Sequence, residues 1–283
     1  MTRVNEPFEI TDEEKSLQEQ IHNLQIQTFN KFKLTDLALI LAGEEASHIA
    51  VRKFEALDTL LTTAHYYLLD GSRFDHKVYC EKDGVQTYNK HAQYQYILHN
   101  LKSAVVWYNS SIDYILQIIY FGFGFYQHFT TVSKSEHKNH YQKEERSARL
   151  SNKEFMKKFD EISASNQYAK ELQNRWKQLS YGCNAVKIRE LANSIKHHSG
   201  FELVETATAT HHKISIYGIC WEEVAKIPTI GYTELLKHLI GLHNEVASFE
   251  EYLYNALGFS AISDQIKLGK TKITPLFYYQ QQA

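Results

Sequence analysis

Apolar residues recur every three to four positions along most of the chain, and these steps predict long helices. Thr11-Asp12-Glu13-Glu14 joins a capping residue to acids in a first turn and predicts a helix over 13–31. Thr35-Asp36 opens a second helix with the stripe Ile40, Ser47, Ala50, Phe54, Leu57, Leu61, Ala64 and Leu68, which Asp70-Gly71-Ser72 ends. Arg73 to Lys90 is polar and holds Asp83-Gly84, the mark of a loop or short hairpin. A third helix runs from Ala92 to Phe125 on Ile97, Leu101, Ala104, Tyr108, Ile112, Ile115 and Ile119. Thr131 to Ser151 is charged and poor in large apolar residues, so it reads as an exposed loop or a helix end.

Helix returns at Asn152-Lys153-Glu154, with Phe155, Phe159, Ile162, Tyr168, Leu172, Trp176 and Leu179, as far as Gly182. Asn184 is a good N-cap for a helix from Ala185 to His198, closed by Gly200. Thr206 to Thr210 and Lys213 to Tyr217 alternate with period two and predict a small hairpin. Pro228 and Gly231 mark a turn, a last helix spans Tyr232 to Leu257, and the tail is irregular. The expected fold is mainly α: one domain over 1–283, an antiparallel bundle of long helices with a small β-hairpin insertion.

Composition supports this reading. Pro occurs 3 times and Gly 12 times, against about 14 and 20 at average usage. Hydrophobic residues at 43% and charged residues at 23% exclude wholesale disorder. A net charge of −2 excludes nucleic-acid binding through overall charge and leaves only a local patch. Cys80, Cys183 and Cys220 form no close pair, which predicts a reducing, cytoplasmic setting. No apolar signal region opens the chain, and the apolar stretch Tyr114–Phe129 is short and carries Gln117, Gln127 and His128, so no membrane association is expected.

The segment Arg189-Glu190-Leu191-Ala192-Asn193-Ser194-Ile195-Lys196-His197-His198-Ser199-Gly200 concentrates the chemistry. On a helical wheel with Arg189 at zero, Asn193 falls near about +40°, Lys196 near about −20° and His197 near about +80°. Ile188, Leu191 and Ile195 lie together on another side. One face suits a core. The other presents a guanidinium, an amide, an ammonium and an imidazole near the helix C-terminus, a set suited to a phosphodiester. Imidazole moves a proton near neutral pH, and the cations hold phosphate oxygens. The plain alternative is a solvated face whose cations favour the helix macrodipole. His198 falls on the core side of the wheel and reads as a packed histidine.

Asn193-Ser194-Ile195-Lys196-His197 resembles the signature of the HEPN superfamily, an Arg-Asn-x-x-x-His type motif on a late helix, often written Asn-x-x-Lys-His. The likeness covers about residues 34–257, with the helix 13–31 and the tail 258–283 as additions. It implies a bundle of four to five helices, a homodimer, and a metal-independent endoribonuclease with two motif copies meeting across the dimer. It also implies a toxin–antitoxin or defence setting, with RNA as substrate and a nucleotidyltransferase-type partner, and neither metal nor cofactor. Carried over by position, Asn193 and His197 match the motif. Ala192 occupies the family's Arg position, so Arg189 and Lys196 are the candidate phosphate binders, Lys196 also joining His197 and Asn193 as catalytic. Ala192 argues for a second reading, a non-catalytic interaction subunit.

Other constellations are weaker. Glu45-x-x-His48 matches half of a di-iron carboxylate site, a third reading that needs a facing motif and two further carboxylates. His211 and His212 could join His197 and His198 around a metal, but no Cys or carboxylate stands at ligand spacing. Tyr114, Tyr120, Phe121, Phe123, Phe125 and Tyr126 suit a core or an interface better than base stacking. The lysines and arginines from Lys134 to Lys158 are interrupted by acids and suit a solvated face.

Overall fold

The computed structural model describes residues 10–24, 45–73, 79–82, 85–88, 90–125, 153–197, 200–205, 215–216, 219–220 and 227–259. These residues are mainly helical, in seven helices: α1 (Asp12–His22), α2 (Glu45–Ser72), α3 (Lys90–Gly122), α4 (Lys153–Ser165), α5 (Gln167–Ser180), α6 (Cys183–His197) and α7 (Tyr232–Ala256). The short strands are β1 (Tyr79–Lys82), β2 (Val85–Tyr88), β3 (Glu202–Leu203), β4 (Ser215–Ile216), β5 (Ile219–Cys220) and β6 (Thr229–Ile230). β1 pairs antiparallel with β2, and β4 with β5, while β3 pairs parallel with β6. Of the alternating stretches 206–210 and 213–217, only Ser215 and Ile216 are among the described residues.

The stripes written into the two longest helices are the buried ones. Ala50, Phe54, Leu57, Leu61, Ala64 and Leu68 on α2 are buried, as are Ile97, Leu101, Ala104, Tyr108, Ile112, Ile115 and Ile119 on α3. Removing such side chains from water is the main drive to fold.

Two compact units form, and α2, α3 and α7 contribute residues to both. The first combines residues 1–24, 63–109 and 183–243. Its α1 begins with a capping box between Thr11 and Glu14. The helix ends at His22, short of the Lys31 that the pattern predicts, because Asn23 leaves helical geometry at ψ 2° while its N–H still donates to Glu19 O. His65 Nε2 lies 2.7 Å from Ile21 O, and the Tyr108 hydroxyl lies 2.8 Å from His243 Nδ1. β3 and β6 join Glu202 to Thr229 and Leu203 to Ile230. Just beyond β3, the Glu205 carboxylate accepts the Tyr232 N–H at 2.9 Å and so caps α7.

The second unit combines residues 25–62, 110–182 and 244–283. Its core is aromatic: Tyr120, Phe125, Phe155 and Phe159 meet edge to face, with centroids 4.7 Å apart for Phe125 and Phe159. Here the structure corrects the sequence pattern. The single helix expected from 154 to 179 is broken at Asn166, whose Oδ1 accepts from Ala169 N–H at 3.0 Å and caps α5. The restart puts Ala169, Leu172, Gln173, Trp176 and Leu179 on the inner face, and Tyr168, expected inside, is 63% exposed.

Candidate functional site

α6 lies in the first unit and carries the motif. Ala185, Ile188, Leu191, Ala192 and Ser194 are its buried side. Asn193, Lys196 and His197 are exposed, and Arg189 is half-buried and engaged by neighbouring groups. Asn193 and His197 are one turn apart, about 6 Å of rise, whereas Arg189 lies about 12 Å along the axis from His197. The helix therefore gathers Asn193, Lys196 and His197 and leaves Arg189 two turns away. Among the described residues no hydrogen bond or ion pair engages Asn193, Lys196 or His197. Ala192 is 0% exposed, so the position that holds Arg in the signature faces packed side chains here.

The end of α6 is fixed by two bonds. Ser194 Oγ donates to Gly200 O at 2.6 Å, and Gly200 N–H donates to Ser194 O at 3.2 Å. Gly200 has φ +91°, in the left-handed region that favours glycine. His198 lies outside the described residues, as do His211 and His212.

At the other end, Asn184 is not the cap expected from sequence. It is the second residue of α6, and its Oδ1 lies 2.9 Å from His238 Nδ1 on α7. The helices approach closely here: a Cβ on Gly241 would stand 2.8 Å from Asn184 Cγ.

Lys102, on α3, lies against the segment that follows α6, a neighbourhood not legible in the sequence. Its Nζ would lie 3.0 Å from a Cβ on Gly200, and it stands 5.6 Å from the centroid of the buried Phe201 ring. Burial holds its pKa below the ordinary lysine value, while Glu202 acts in the opposite sense. Its signal is spatial: the local sequence of α3 shows only a polar position beside Leu101.

The remaining candidates are placed as follows. His48 is half-buried on α2, and the side chain of Glu45 lies outside the described residues. Among the described residues, no group of three or more His, Cys, Asp or Glu side chains is placed to hold a metal ion. Two acids that the pattern did not single out, Asp58 and Glu250, are buried in the second unit at 3% and 1% exposure. Burial, and then the charge of Asp58, hold the Glu250 carboxyl well above the usual carboxylate range. Tyr120, Phe121 and Phe125 are buried, Tyr114 and Phe123 are half-buried, and Tyr126 lies outside the described residues. Of the basic stretch, Lys153 and Lys157 are exposed, and Lys158 pairs with Glu161 at 3.1 Å. Among the described residues no helix is long and apolar enough to cross a membrane.

No family model, curated protein or solved structure matches the chain.

Proposed function

We propose that the chain is a HEPN-like, RNA-directed protein and that the exposed end of α6 is the working face of a metal-independent endoribonuclease. The observation that carries this reading is the grouping of Asn193, Lys196 and His197 within one exposed turn, engaged by no described residue. An imidazole beside an ammonium suits attack of an RNA 2′-hydroxyl on its own phosphodiester. The O2′–P bond forms, the P–O5′ bond breaks, and a proton passes from O2′ to a base and from an acid to O5′. His197 is the proton carrier, and its copy in a homodimer supplies the complementary acid or base. Lys196 holds the phosphate oxygens as their charge grows, Asn193 orients the scissile group, and Arg189 contacts the strand two turns back. The proposal includes the homodimer, the bundle arrangement of the helices, a cytoplasmic defence or toxin–antitoxin role, and a nucleotidyltransferase-type partner.

A second reading rests on Ala192. An alanine, buried there, leaves no cation at the signature's Arg position, and a chain so altered acts as a non-catalytic interaction subunit with the same dimer.

The test is cleavage of end-labelled structured RNA in EDTA. Cleavage by the wild type, ending in 2′,3′-cyclic phosphate and abolished in His197→Ala with an unchanged melting curve, supports the enzyme. Loss of activity in EDTA, or full activity in His197→Ala, overturns the assignment. Binding without cleavage over a broad RNA panel selects the second reading.

A further inference from the structure

We infer that Lys102 is a phosphate-binding residue of the α6 site, gripping the RNA backbone beside the phosphate that Lys196 and His197 address. The inference rests on the RNA reading and extends it to a second helix.

Three observations converge. The first is position. Gly200 follows His197 by three residues, so their Cα atoms are at most about 11 Å apart. The Lys102 ammonium lies against Gly200, 3.0 Å from where a Cβ would stand. A glycine at this point lets the ammonium approach the end of the motif helix; any side chain would meet it.

The second is that no described residue pairs with the charge. An ammonium at a helix C-terminus commonly donates to the last carbonyls. Lys102 Nζ makes no hydrogen bond to any described residue, and no described carboxylate is within ion-pair distance. Ser194 and Gly200 satisfy each other instead. Glu202 influences Lys102 through space only, and the Phe201 ring offers its face.

The third is partial burial. The lysine stem is half-buried, so the charge is held in place and partly desolvated before any ligand arrives. A preplaced cation of this kind costs little further ordering on binding, unlike the exposed Lys196.

Binding of a short fluorescein-labelled single-stranded RNA, followed by anisotropy over a salt series, tests this. Wild type, Lys102→Gln, Lys102→Arg and Lys196→Ala are compared. Each phosphate contact on a single strand contributes a salt slope of about −0.7. The slope should therefore shrink by about 0.7 in Lys102→Gln and be retained in Lys102→Arg. In parallel, acetylation of wild-type lysines with and without RNA should show Lys102 and Lys196 protected together, a readout independent of the variants' folding. A normal slope in Lys102→Gln and an unprotected Lys102, with Lys196 affected in both, would overturn this inference and leave the RNA reading standing. No RNA binding by the wild type would overturn both.

Discussion

Ser194 and Gly200 hold each other across the end of α6, the serine hydroxyl on the glycine carbonyl at 2.6 Å and the glycine N–H on the serine carbonyl at 3.2 Å. The motif's inward-facing residue thus fixes the turn that follows its outward-facing ones. Ser194 is 4% exposed, while its neighbour Asn193 is exposed.

Ser194→Ala should therefore destabilise the fold by about 1–3 kcal/mol, because the Gly200 carbonyl loses its donor in a buried setting. Urea unfolding reads this as a lower midpoint with an unchanged slope. An unchanged midpoint would mean that the end of α6 is held by something else.

Glu250 predicts a pH dependence of stability. Its folded pKa is raised by burial and by Asp58, whereas in the unfolded chain it lies near about 4.3. Between the two values the folded state binds more protons than the unfolded state, so stability falls as pH rises. The contribution is fully present below the unfolded value and is lost as pH passes the folded one. Glu250→Gln should be more stable than wild type near neutral pH and lose this decline. Parallel stability profiles from acid to neutral pH for the two proteins would contradict the assignment.

Gly241→Ala should cost about 1–3 kcal/mol, as overpacking does. The added Cβ would meet Asn184, 2.8 Å away at Cγ, and push apart the contact that aligns α6 with α7. Thermal unfolding checks this, and a melting temperature equal to wild type would show that the two helices have room for the added methyl group.

The long helices were legible because burial and helical period coincide over many turns, as the α2 and α3 stripes show. The break at Asn166 was not, although the step of six residues from Ile162 to Tyr168 departs from the helical spacing of three or four. Asn166, in extended backbone at φ −126° and ψ 118°, separates the two helices and caps the second through Ala169 N–H. β3 and β6 pair over two residues each, too short for a period, and their partners are 27 positions apart. The two faces of α6 follow the wheel in part: Asn193, Lys196 and His197 are exposed and Ile188 and Leu191 buried, while Arg189 and Ile195 are half-buried. Lys102 was not, because its relation to Gly200 spans distant parts of the chain. Asp58 and Glu250 are acids at core positions, which apolar periodicity cannot announce.

The proposed paired site requires two copies of α6. Multi-angle light scattering at micromolar concentration should give about twice the chain mass of 33.0 kDa. A monomer at every concentration tested would leave each His197 without its complement and remove the two-copy mechanism.

The proposed function places RNA on the exposed end of α6. Photo-crosslinking to RNA containing 4-thiouridine, followed by peptide mass mapping, locates the strand directly. Crosslinks are expected in residues 189–202 and in the α3 segment around Lys102, weakened in Lys196→Ala. Crosslinks confined to other segments, with these two unlabelled at saturating RNA, would contradict it.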